Sequence, residues 1–148
     1  MKGKKKKKSK RLLKIQLFVA LILMISGAVV YTYGYLQESK IPEIELEKAY
    51  DLWLDEDVIF IDVRPFEEYD EGHLSLARNF PINNESAFIS YIVELDKDEN
   101  YVVYCNKGVS SLKASEIMKR YNFPNAYSLI GGFNAWKEAG YFYIGIEP

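Results

Sequence analysis

The sequence predicts an α/β fold, a mostly parallel sheet with helices on both faces, preceded by one transmembrane helix. Three observations point there. Short runs apolar on both faces, "VIFI" at 58–61, "YVVY" at 101–104 and "AYSLI" at 126–130, read as strands buried on two sides. Between them apolar residues recur at helical spacing, so strand and helix take turns. Ahead of them Ile15 to Leu36 run for 22 residues without a charge, which at about 1.5 Å per residue matches a hydrocarbon layer roughly 30 Å thick.

Residues 1–14 form a basic tail with nine Lys or Arg and no acid. The positive-inside rule places such a tail in the cytoplasm, held also to anionic lipid, so residues 1–36 are expected to bind the membrane. Residues 15–36 are the transmembrane helix, and Tyr31, Tyr33 and Tyr35 gather at its far end, where amphipathic rings favour the headgroup zone. The folded part is then expected outside the cytoplasm on a single-pass anchor. A cleaved signal peptide is the alternative, because Ser26-Gly27-Ala28 offers small residues to a peptidase. The apolar stretch continues past Ala28, longer than a usual signal core, and no cysteine follows it that could carry a lipid.

Residues 37–42 read as a short polar linker ending at Pro42, and residues 43–148 as one folded domain. Leu46, Ala49, Tyr50 and Trp53 share a helix face. After the strand at 58–61, Pro65 opens a short helix through Glu71, and Ala77 to Ile82 is a weaker strand. Asn83 or Asn84 caps a helix whose face is Phe88, Tyr91, Ile92 and Leu95. Beyond the strand at 101–104, Ala114, Ile117, Met118 and Tyr121 mark another helix, ended by Lys119, Arg120 and Asn122, residues suited to a helix C-terminus. The strand at 126–130 leads to a last helix from Phe133 to Ala139, closed by Gly140.

The formal net charge of −2 hides an asymmetry: nine of the 19 basic residues precede position 15, leaving ten against 21 acids, a net charge of −11. A folded part so acidic repels phosphate, which argues against nucleic acid as a partner. Cys105 is the single cysteine, so neither an internal disulfide nor a multi-cysteine zinc site is open to the chain, and no cofactor or metal is expected. It stands where a parallel strand ends and a helix begins, the place where ligands bind in such sheets. There a thiol meets backbone N–H groups and the positive end of a helix dipole, and Lys107 lies nearby, all of which favour thiolate. Gly108 lets the loop curl, and Ser110 or Ser111 can cap the helix and point a hydroxyl inward.

Asp62-Val63-Arg64, Glu68-Tyr69 with Gly72-His73, Tyr104-Cys105 with Gly108, and Gly131-Gly132-Phe133 leading to Ala135-Trp136 and Ala139-Gly140 occur in an order and spacing that resemble the single-domain rhodaneses. The resemblance runs from about Ile44 to Tyr141. It implies a sulfurtransferase in which Cys105 takes sulfane sulfur from a thiosulfate-like donor, holds it as a persulfide and passes it to a thiol or cyanide. Asn106, Lys107, Gly108, Val109, Ser110 and Ser111 would then line the substrate cradle, with Asp62 and Arg64 as a scaffold pair beside it. The family's alternative use is a catalytically weak binding or redox-sensing module. His73, Phe133 and Trp136 are expected to serve packing. Two positions depart from the family pattern: Ser110 replaces an arginine common in active members, and Leu76 replaces a common glycine. A phosphatase reading needs an arginine six residues after the cysteine, where Ser111 stands.

Overall fold

The computed structural model describes residues 2–38 and 42–145, and the side chains of 14–33 and 42–145. It divides into two compact units, Met1–Lys40 and Ile41–Pro148. The first unit is one helix, α1 (Lys2–Glu38), in which Lys14–Tyr33 is long and apolar enough to cross a membrane by length and composition. The Ser26 and Thr32 hydroxyls are satisfied within the helix: Ser26 Oγ donates to the Leu23 carbonyl at 2.9 Å and Thr32 Oγ1 to the Val29 carbonyl at 3.0 Å. An apolar surrounding requires such pairing. Helix α1 takes in Gln37 and Glu38, which the sequence assigns to the linker, and residues 39–41 of that linker lie outside the described residues.

In the second unit the chain runs β1 (Glu43–Ile44), α2 (Leu46–Leu54), β2 (Ile59–Asp62), α3 (Phe66–Glu71), β3 (Gly72–His73), β4 (Arg78–Asn79), α4 (Glu85–Ile92), β5 (Tyr101–Tyr104), α5 (Val109–Arg120), β6 (Ala126–Leu129), α6 (Gly132–Glu138) and β7 (Ile144–Gly145). Five strands form a parallel sheet in the order β1-β6-β5-β2-β4, with Ile61 opposite Val103 and Val103 opposite Ser128 in the central register. A parallel sheet must be covered on both faces, and the strands show why it is. Ile61, Tyr101 and Val103 join a core with Phe88 and Ile92 of α4 and Ile117 and Met118 of α5. Their neighbours Phe60, Val102 and Tyr104 join a second core with Ala49 of α2 and Phe133 and Trp136 of α6. Successive residues therefore alternate between two buried faces, which is the source of the uninterrupted apolar runs.

The short pieces differ from the sequence expectation. The strand expected over 77–82 shrinks to Arg78–Asn79 at the sheet edge, and the helix capped at Asn84 ends at Ile92, leaving Leu95 beyond it. Strands β1, β3 and β7 carry two residues each, too few for any periodicity, and β3 and β7 pair antiparallel in a separate ribbon. Leu76 takes the left-handed conformation, φ 62°, that a glycine would accept freely, and it is 88% exposed. The turn forms all the same, tied by the Ala77 amide to the Leu74 carbonyl at 3.0 Å and by the Tyr69 hydroxyl to the Ala77 carbonyl at 2.8 Å.

Candidate active site around Cys105

Cys105 follows β5 directly, at the carboxyl end of the parallel sheet, and its side chain is 6% exposed. Gly108 at φ 90° turns the chain into α5 and is the helix N-cap. A Cβ there would press on the Leu129 carbonyl and the Gly131 amide, so glycine is needed both for the turn and for space. The curl turns the amides of Lys107, Gly108 and Ser111 toward the sulfur. Burial pushes the Cys105 thiol up, but the Ser111 amide and hydroxyl, then the Lys107 and Gly108 amides, outweigh it and hold the thiol below its ordinary range. Lys107 contributes here through its N–H.

The loop is fixed from below by α6. The Phe133 amide donates to the Cys105 carbonyl at 2.8 Å and the Asn134 amide to the Asn106 carbonyl at 3.1 Å, so the unpaired first-turn donors of one helix hold the outward carbonyls of the loop. Gly132, φ 60°, permits this approach, since a Cβ would collide with the Cys105 carbonyl and the Asn106 backbone.

A pocket of about 460 Å³ opens above the sulfur, lined among others by Arg64, Glu68, Ile82, Asn83, Asn106, Val109 and Ser110. Lys107 also borders it, exposed to solvent. Asp62 and Arg64 are both buried and form an ion pair of 2.6 Å, with Arg64 Nε also on the carboxylate at 3.0 and 3.1 Å and Nη2 donating to the Gly72 carbonyl at 2.7 Å. Burial opposes the Arg64 charge, and the Asp62 carboxylate restores it, so the guanidinium stays cationic beneath the pocket wall. Its Nη1 reaches the Asn106 Oδ1 at 3.4 Å, while Asn106 Nδ2 donates to Glu68 Oε2 at 2.6 Å. Of the pair, Arg64 thus borders the pocket and is linked through Asn106 to the loop, while Asp62 is fully buried.

Ser111 points its hydroxyl inward as expected, but the expected cap is not made. The helix N-cap makes no side-chain hydrogen bond, and neither Ser110 nor Ser111 caps α5. The α5 first turn is instead closed on the Gly108 carbonyl, to which the Ser111 hydroxyl also donates at 3.0 Å. Ser111 is fully buried with its Oγ 3.7 Å from the Cys105 sulfur, whereas Ser110 is exposed at the pocket edge. Three participants carry no role at the site in the sequence reading. Glu68 sits in a motif without an assigned task, Asn83 is read only as one of two candidate caps for α4, of which Asn84 is the cap, and Ser128 passes as one residue of an apolar strand. A hydroxyl inside "AYSLI" is the signal that would have found Ser128, since a buried polar group needs a partner.

Residues 45–139 match the family model described as a rhodanese-like domain. The chain belongs to the rhodanese-like family. It is 38% identical over 82 residues to the thiosulfate sulfurtransferase GlpE of Shewanella oneidensis, an alignment covering 55% of this chain and 78% of that protein. To the thiosulfate sulfurtransferase GlpE of Coxiella burnetii it is 32% identical over 90 residues, 61% of this chain and 81% of that protein. Among solved structures, a rhodanese-related protein of Thermoplasma volcanium superposes with a TM-score of 0.62 at 26% identity, covering 70% of this chain and 97% of the other. The rhodanese-like fold is therefore common to the chain and its relatives, Cys105 falls within the matched region, and the N-terminal helix lies outside it.

Proposed function

We propose that this rhodanese-like chain is a membrane-anchored sulfurtransferase that carries sulfane sulfur as a persulfide on Cys105. The observation that carries the reading is the Cys105 sulfur at the base of an open pocket, with three backbone amides turned on it and the Ser111 hydroxyl 3.7 Å away. The thiolate attacks the sulfane sulfur of a thiosulfate-like donor. A sulfur–sulfur bond forms as the donor's own breaks, and sulfite leaves with the electron pair. An acceptor thiolate or cyanide then attacks the outer sulfur, and Cys105 departs as thiolate, stabilised by the same amides. Small sulfur compounds are the partners of this reading, and the length and composition of Lys14–Tyr33 support its lipid anchor, the reading keeping residues 1–14 in the cytoplasm and the domain outside.

One observation favours a second reading, a weakly catalytic binding or redox-sensing module. The loop has no arginine of its own, and the guanidinium of Arg64 is already engaged by Asp62 and Gly72. The full-length chain in detergent micelles separates the two: thiosulfate should add the mass of one sulfur to Cys105, and cyanide should remove it as thiocyanate. Cys105→Ser should abolish turnover with the fold retained, since serine fits the same space. Absence of the added sulfur at saturating thiosulfate would leave the second reading standing.

A further inference from the structure

Ser128 lies in the middle of β6, 1% exposed, in a strand otherwise built of apolar and aromatic residues. Burying a hydroxyl there is unfavourable unless it is paired, and both of its side-chain partners belong to the Cys105 loop: Ser111 Oγ at 2.9 Å and the Gly108 carbonyl at 3.4 Å. Ser111 in turn has three neighbours, the Cys105 sulfur at 3.7 Å, the Gly108 carbonyl at 3.0 Å and Ser128. Each serine carries one hydroxyl proton, so the network can be satisfied in two ways. With Cys105 as a thiol, the S–H points at Ser111 Oγ and the Ser111 proton goes to the Gly108 carbonyl. With a negative sulfur, the Ser111 proton must turn to sulfur, and the Gly108 carbonyl loses that donor unless another hydroxyl takes its place.

We propose that Ser128 is a positioning residue of this site: its hydroxyl covers the Gly108 carbonyl or backs Ser111 when Ser111 turns its proton to the negatively charged sulfur. Ser128 touches neither sulfur nor substrate. It acts through Ser111 alone, by keeping the buried network paired in both states of the cysteine. The cost of turning Ser111 is thereby removed from each step that generates a negative sulfur on Cys105. The inference builds on the sulfurtransferase reading, yet the network responds to charge on sulfur whatever the chain's substrate.

With one cysteine in the chain, alkylation of the full-length protein in detergent reports on Cys105 alone. The rate of iodoacetamide alkylation against pH gives the thiolate midpoint without any sulfur donor. The charged groups facing the site, Arg64 after β2, Glu68 on α3 and Lys107 in the loop, are common to all variants. Ser111→Ala should raise the midpoint by about one pH unit, the worth of a hydrogen bond to a charged group, and Ser128→Ala by about half of that. The double variant should match Ser111→Ala, because Ser128 has no path to sulfur once Ser111 is gone. Ser115→Ala, which removes another buried hydroxyl of α5, should leave the midpoint in place. An unmoved midpoint in Ser128→Ala, additive shifts in the double variant, or an equal shift in Ser115→Ala would each overturn the proposal. Because no sulfur is transferred, a failed thiosulfate assay bears on the functional reading and leaves this test intact.

Discussion

At Arg64 the guanidinium is 5% exposed and held by a fully buried carboxylate, so removing one partner is far worse than never having built the pair. Asp62→Ala leaves a buried cation without its carboxylate, beside the Gly72 carbonyl, Asn106 and the faces of Phe133 and Tyr104, and should cost about 3–5 kcal/mol in a denaturant titration. The Asn106 end of the loop should loosen with it, seen as faster proteolysis there. Lys107 has a different kind of role. Its amide faces the sulfur while its ammonium is free in solvent at the pocket edge, so the two can be separated by mutation. Lys107→Ala keeps the amide. It should raise the KM for thiosulfate several-fold through loss of a cation near the donor, and leave the alkylation midpoint of Cys105 where the parent has it, below the roughly 8.5 of an unperturbed thiol. A midpoint that rises in step with KM would assign the thiolate's stability to the ammonium instead. At this scale the sequence was informative where chemistry and local order coincide: a cysteine between an apolar run and a glycine marks the loop. It was silent on Ser128 and on the Glu68–Asn106–Arg64 link, because those contacts join segments distant in the chain.

Among the elements, α6 does more than cover the sheet. Its first amides hold the carbonyls of Cys105 and Asn106, which turns the loop's N–H groups inward. Gly132→Ala tests this coupling against Gly140→Ala, since both glycines have positive φ but only Gly132 has backbone where a Cβ would go. The strain common to both should cost about 1–2 kcal/mol, and Gly132→Ala should exceed Gly140→Ala in chemical denaturation while also abolishing sulfur transfer. Equal losses in the two variants, with transfer kept, would mean that the loop does not depend on the close approach of α6. The longer elements were legible because their patterns repeat: β5 occupies the four residues of "YVVY", and α2, α4, α5 and α6 lie where apolar residues recur at helical spacing. Strands of two residues have no period to read. The edge strand β4 is likewise fixed by its pairing of Ile61 with Arg78 rather than by its own composition.

For the molecule as a whole, charge and length carry the proposed address. Nine basic residues lie in the first 14 and 20 of the chain's 21 acids lie in residues 43–148, while the intervening Lys14–Tyr33 span is helical, with its side chains exposed and its Ser26 and Thr32 hydroxyls paired within the helix. Exposed Leu, Ile, Val and Phe along a 20-residue span would be unfavourable in water at roughly 25 cal/mol per Å² and are favourable in hydrocarbon. Lysine and arginine resist translocation, so the proposed topology keeps residues 1–14 in the cytoplasm and carries the rhodanese-like domain across. Protease added to spheroplasts should digest the domain and leave the anchor, and the intact protein should stay with the membrane pellet through high-salt and alkaline washes. Reversing the charge bias, by exchanging the basic residues of the tail for glutamine and adding lysines after Leu36, should invert the orientation and protect the domain. Mature protein beginning at Val29 would instead show cleavage after Ser26-Gly27-Ala28 and a released enzyme. A domain protected in spheroplasts of the parent chain would place Cys105 among cytoplasmic thiols, and the donors and acceptors to be sought would change with it.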